Sequence, residues 1–204
     1  MKEVAEFKTL GTESGPCEFK EKGSRFISRA HPVFGKEQAE EILSATRKKY
    51  HDSTHVCFGY RLGEGEELAL RYSDDGEPSG TAGLPILNEI RGKELFNILV
   101  LVVRYYGGTK LGTGGLARAY RDSAKLALES SRIVTMIRKK KESVSLPFES
   151  EGELIKLANR FNIGIAGKEY NEEGVRIELD IPVSVYDTFR DILFNSSKGK
   201  INLI

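Results

Sequence analysis

The chain has 204 residues, 39% hydrophobic and 30% charged, with 31 Lys and Arg against 30 Asp and Glu and a formal net charge of +1. That composition supports folded cores and excludes a disordered charged tail, and the near-neutral balance excludes recruitment to nucleic acid by global charge. The length leaves one large or two modest domains open, the usual domain being about 100–150 residues. Cys17 and Cys57 stand forty residues apart without a Cys-x-x-Cys pair. Neither a disulfide framework nor a thiolate zinc site is therefore expected, and a reducing compartment fits.

In chain order, residues 17–34 hold short strand-like runs with Gly23-Ser24 as the turn, which predicts a hairpin. Residues 36–50 place Ala39, Ile42, Leu43 and Ala45 at helical spacing among Glu and Lys, an amphipathic helix on a sheet. Strands are expected at 54–62 and 67–72 around the turn Gly63-Glu64-Gly65-Glu66. The turn-forming tract from Ser73 to Gly83 is a loop feeding a helix over 81–90. Residues 96–105 follow as the most buried strand. Its six-residue apolar run ILVLVV occupies both side-chain parities, which places it centrally in the sheet. That run is far short of the ~20 residues that cross a bilayer, and the amino terminus lacks an apolar signal core, so a cytoplasmic protein is expected. A helix over 115–131 turns Leu116, Ala119, Tyr120, Ala124, Ala127 and Leu128 inward and its charges outward.

The composition shifts at residues 133–141, where an apolar stretch runs into Arg138-Lys139-Lys140-Lys141, read as a solvated boundary. Two domains are expected, 1–135 and 136–204. The second reads strand (142–148), helix (151–161), strand (163–170), strand (175–181), helix (185–196), strand (200–203). That is the βαββαβ order of a ferredoxin-like domain, and the fold class is α+β.

The segment Tyr105-Tyr106-Gly107-Gly108-Thr109-Lys110-Leu111-Gly112-Thr113-Gly114-Gly115 has five glycines in nine residues between a buried strand and a helix. Glycines let backbone N–H groups approach an anion, and a helix N-terminus adds partial positive charge, so the segment has the makings of a phosphate cradle. The plainer alternative is a tight connection without a ligand, and the spacing matches neither the P-loop nor the dinucleotide fingerprint. From Arg104 to Lys125 the cations Arg104, Lys110, Arg118, Arg121 and Lys125 face Asp122 alone, a local charge of +4. With Tyr105 and Tyr106 nearby, the patch offers phosphate contacts and aromatic stacking, the ingredients of RNA binding, against the alternative of an ordinary solvated helix face. Asp74, Asp75 and Glu77 are hard oxygen ligands that could hold a divalent cation or, more plainly, cap the next helix. His51 and His55 have i, i+4 spacing, but helix and strand separate them, so zinc is not expected. His55 and Cys57 share a strand face without an orienting third group, and a buried cysteine is the plainer reading.

Taken together, the stretch from Ser73 to Leu87, Val102–Gly112, Gly114–Tyr120 and Thr54-His55-Val56-Cys57 resemble the IMPACT family in its bacterial, YigZ-type branch. The resemblance implies an amino-terminal domain like the second domain of ribosomal protein S five and a carboxy-terminal domain like the fifth domain of elongation factor G. Both point to translation. Eukaryotic members are translational regulators that compete for the activator of an eIF-two kinase, largely through an extra amino-terminal module. This chain starts at the shared domain, so that partner is not expected here. The family supplies no settled reaction, and its fold also serves small-molecule kinases and RNA-processing proteins.

Two functions follow as expectations. The first is a non-enzymatic, translation-associated factor that contacts RNA or a ribosome-associated protein through Arg104, Gly107, Gly108, Lys110, Gly112, Gly114, Gly115, Arg118, Arg121 and Lys125. His55, Asp74, Asp75, Glu77 and Tyr105 would support that surface. No cofactor, membrane or sequence-read DNA enters. The second is a metal-assisted enzyme acting on a phosphorylated small molecule or nucleotide.

Overall fold

The computed structural model describes residues 5–63 and 68–196, which fall into two compact units, residues 8–135 and residues 136–196 with 5–7. The amino-terminal segment thus joins the second unit, a departure from a single 1–135 block. A strand the periodicity did not reveal, β1 (Glu6–Leu10), lies where the chain passes between them.

The first unit is built from β2 (Cys17–Glu21), β3 (Ser24–Pro32), α1 (Lys36–Lys49), β4 (His55–Leu62), β5 (Ala69–Ser73), α2 (Gly83–Gly92), β6 (Ile98–Tyr105) and α3 (Gly112–Glu129). Its five strands run in the order β2-β3-β6-β4-β5, and every neighbouring pair is antiparallel. β6 is central, as two-sided apolarity predicts, with every residue from Ile98 to Arg104 buried. On one face Phe26, Ala30, Val100 and Val102 pack with Leu116, Tyr120 and Ala124 of α3 and Ile86 and Ile90 of α2. On the other face Leu99, Leu101, Phe58 and Tyr60 pack with Ala39 and Leu43 of α1. The turn expected at residues 63–66 lies mostly outside the described residues.

The second unit begins where β7 (Ile133–Ile137) leads into β8 (Lys139–Leu146), so the basic run Arg138–Lys141 lies largely in a strand at the unit boundary, with Lys139 and Lys141 exposed. Lys140 Nζ stands 4.4 Å from the centre of the Tyr186 ring. Then come α4 (Glu151–Arg160), β9 (Gly164–Tyr170), β10 (Val175–Pro182) and α5 (Tyr186–Ser196). The sheet order is β8-β10-β9, and the alternating Val175, Ile177, Leu179 and Ile181 of β10 meet Leu154, Ala158, Phe189 and Leu193 of the helices. The described elements follow the expected order through α5. The strand expected at 200–203 lies outside the described residues.

The approach of α2 to β4 depends on one glycine. A Cβ at Gly59 would come 2.8 Å from the Leu87 backbone nitrogen, closer than side-chain carbons come to backbone. Gly59→Ala is expected to destabilise by about 1–3 kcal/mol through overpacking, read as a lower urea midpoint with unchanged slope.

Candidate functional site

Arg104 leaves the core strand opposite Phe26 of β3 and His55 of β4, so the three side chains share the sheet face that α3 covers. The sequence reading made Arg104 a solvent-facing phosphate contact, and the structure corrects it. Its side chain is 5% exposed, and Nη1 donates to Glu77 Oε1 at 2.5 Å. Nη2 donates to Ser24 Oγ at 3.1 Å. The guanidinium is framed by the rings of Phe26 and Tyr106, 5.5 and 5.4 Å from their centres.

Glu77 is the hub. Besides Arg104, its Oε1 accepts from the Tyr120 hydroxyl of α3 at 2.7 Å and lies 3.8 Å from His55 Nε2, an ion-pair distance when the ring is protonated. His55 Nδ1 sits 2.7 Å from the Asp75 carbonyl, which accepts only, so the proton is on Nδ1. Burial pushes the Tyr120 hydroxyl well above its ordinary pKa, with Cys57 and Glu77 adding to the shift, so it donates and stays neutral. Burial also raises the Cys57 thiol far above the range of a nucleophile, and its Sγ lies 3.1 Å from the Asp74 carbonyl.

The acidic loop bonds to itself, to α2 and to neighbouring strands and helices. Asp74 Oδ1 accepts from the amides of Ala82 and Gly83 at 2.9 and 2.8 Å, and Oδ2 from Gly80 at 2.9 Å, so it caps the N-terminus of α2. Asp75, in a left-handed conformation at φ 46°, accepts the Val56 amide at 2.7 Å and meets Arg47 at 3.4 Å. Of the two readings of these carboxylates, capping describes Asp74, while Asp75 meets the Val56 amide and Arg47, and Glu77 meets Arg104 and Tyr120. Among the described residues no group of three His, Cys, Asp or Glu is placed to hold a metal ion. His51 is exposed in the turn before β4, away from the hub that holds His55.

The glycine segment divides in two. Gly107 and Gly108 lie against the backbone of Lys22 and Gly23, where a Cβ on either would collide, and Ser24 Oγ bonds the Gly107 carbonyl at 3.3 Å. This half is a close-packed connection. Gly112, Thr113 and Gly114 are exposed, and they form the first turn of α3, not a loop before it. That turn has no acidic residue and no side-chain cap, so its amides face solvent.

The charges around it are thinner than the sequence count. Arg121 is paired with Asp122 at 3.0 Å and Lys125 with Glu129 at 3.9 Å. Lys110 and Arg118 are exposed, and no ion pair or hydrogen bond engages either side chain among the described residues. Arg118 and Arg121 also line a depression of about 280 Å³ between α2 and α3, with Pro85, Asn88, Glu89 and Ala117. Of the two tyrosines, only Tyr106 accompanies the glycines, half exposed, its hydroxyl on the Gly108 carbonyl at 3.2 Å. Tyr105 points to the opposite sheet face, stacked under Arg25 at 4.5 Å and bonded to Asp52 at 2.7 Å. Strand alternation separates the pair.

Sequence reasoning missed Ser24 and Tyr120 as members of this network. Tyr120 carried a signal, since a tyrosine on the buried side of a helix needs a partner for its hydroxyl. Ser24 read only as a turn residue. Removing one member of the buried pair strands the other, so Glu77→Ala is expected to cost about 3–5 kcal/mol in urea unfolding. Adding Arg104→Met should recover part of that loss, and strict additivity in the double-mutant cycle would contradict the coupling.

The chain matches a family model described as the Impact N-terminal domain over residues 22–128. It is 38% identical over 159 residues to the IMPACT family member in the pol 5′ region of Thermus thermophilus, covering 78% of this chain and 84% of that protein. It is also 38% identical over 122 residues to IMPACT family member YvyE of Bacillus subtilis, covering 60% of this chain and 56% of that protein. A crystal structure of a hypothetical protein superposes with a TM-score of 0.76 at 27% identity, covering 98% of this chain and 97% of the other. The matched region contains β4, the acidic loop, β6 and α3, the elements that carry the hub. The chain belongs to the IMPACT family.

Proposed function

We propose that this protein is a cytoplasmic, translation-associated regulatory factor that contacts RNA, on or off the ribosome, through the first turn of α3 and the cations beside it. Family membership supports the translational setting that the resemblance of its motif segments implies. The observation that carries the RNA contact is the open first turn Gly112–Gly114, uncapped and free of acids, flanked by Lys110 and Arg118. Amides and a helix dipole aimed at solvent attract a phosphate, and two unbalanced cations extend the contact along a backbone. Tyr106 adds an exposed ring on which a base can stack.

Arg104 and Glu77 act behind that surface. Arg104 touches Ser24, and Ser24 holds Gly107, so the pair fixes the entry of the segment and does not itself meet phosphate. Arg121 and Lys125 contribute by exchanging Asp122 and Glu129 for phosphate, at a lower gain than Lys110 and Arg118. A metal-assisted reaction finds no support in the acidic loop, whose carboxylates are committed to the fold.

The test is fluorescence anisotropy with labelled single-stranded and hairpin RNA over a salt series. Lys110→Ala with Arg118→Ala is expected to weaken binding about tenfold or more and to reduce the slope of log affinity against log salt by about two. Equal affinity and equal slope in the variant would remove α3 from the interface.

A further inference from the structure

The sheet face that carries α1 holds a second polar cluster, which the proposed RNA contact does not use. Arg29 and His31 of β3 stand opposite Leu101 and Leu99 of β6, so their side chains belong to that face. His31 is 9% exposed, with Nδ1 2.9 Å from Glu13 Oε2, and Arg29 Nη1 lies 3.7 Å from Glu13 Oε1. Two buried nitrogens here, Arg29 Nε and His31 Nε2, have no hydrogen-bond partner among the described residues. Folded proteins leave few such atoms unpaired, and each one calls for an explanation.

Beside these groups lies a cavity of about 430 Å³, closed on its other side by α1. That size falls within the range of about 300–1,000 Å³ typical of small-molecule sites. Lys49 and Tyr50 also line it, Lys49 Nζ standing 5.3 Å from the centre of the Tyr50 ring, while Pro32, Ile42 and Ala45 supply an apolar surface. Three basic side chains and one carboxylate thus line the same cavity. Glu13 itself shows the preferred chemistry, being an oxyanion seated on His31 and beside Arg29, and it is 56% exposed, at the rim. A second oxyanion in the cavity would face the Arg29 and Lys49 side chains and, once its ring is protonated, His31.

We infer that this cavity binds a small molecule with one oxyanion group, a phosphate ester or a carboxylate, on a short apolar body. The inference is independent of the RNA contact, which involves the other face of the sheet. Proton binding is linked to it. Burial lowers the His31 pKa below 6.5 and Arg29 lowers it further, while Glu13 raises it. Lys49 faces the same space from α1. A bound anion adds a further upward pull, so the ligand and a proton on His31 favour each other, and affinity rises as pH falls toward the His31 pKa.

The chain has three histidines, so imidazole NMR reports on the site with two internal controls. Sodium phosphate and sodium acetate, titrated separately at constant ionic strength, are expected to shift the His31 ring signals saturably and to raise its apparent pKa. His51, exposed in its turn, should stay in place. Saturation by phosphate alone identifies the ligand class as a phosphate, and saturation by acetate alone as a carboxylate. Lys49→Ala, an exposed substitution, should weaken the effective anion about tenfold, as loss of one charge-assisted hydrogen bond does. No saturable shift with either salt, equal movement of His51, or full affinity in Lys49→Ala would each overturn the inference.

Discussion

One buried carboxylate organises the first unit. Glu77 draws together a loop, the central strand, the longest helix and, through Arg104 and Ser24, the β2–β3 turn and the start of the glycine segment. Taking a carboxylate and a guanidinium out of water costs several kcal/mol per ion, and the pair is worth keeping only when further donors satisfy it. Tyr120 supplies such a donor, and the rings of Phe26 and Tyr106 lie around the cation. Well-packed apolar replacements of buried ion pairs are often neutral for stability. What they would not do is specify direction, because an ion pair fixes where a loop enters and where a helix begins while apolar contact is tolerant of sliding.

That constraint changes how the basic segment is understood. Counting charges along the chain makes Arg104 the first of five cations, yet its partner sits 27 residues upstream. Lys125 is offset by Glu129, one helical turn beyond the counted window. The surface that is left consists of two cations and the amides of one helical turn. It is smaller than the composition implies and better defined, since the hub beneath it holds its strand and helix in register.

Much of the architecture was legible because it rests on periodicity. Two-sided apolarity located β6 at the centre, and alternation in β10 and the helical spacing in α1 gave their faces. Strand and helix ends moved by a few residues, α3 taking in Gly112–Gly114 and β8 starting at Lys139, and Gly112 enters the helix at φ 69°, a conformation that favours glycine. β1 escaped because five residues with mixed polarity carry no period. The site was legible as a list of residues and not as an arrangement. Asp74, Asp75 and Glu77 were all singled out, but whether a carboxylate meets amides, a guanidinium or water depends on contacts between residues far apart in the chain.

The two faces of the sheet keep their chemistries apart. β3 carries Ser24 of the hub and Arg29 of the α1-side cavity, five residues apart, which at about 3.3 Å per residue is roughly 16 Å along the strand. Charges separated by more than about 8–10 Å at physiological salt are largely screened where solvent reaches them. Transmission by movement is no easier. β6 bonds β3 along eight residue pairs and is buried on both faces, so a shift of either strand would disturb both cores at once. On these grounds an anion beside His31 and a phosphate beside Gly112 would be expected to bind independently, unless a ligand is large enough to reach both faces.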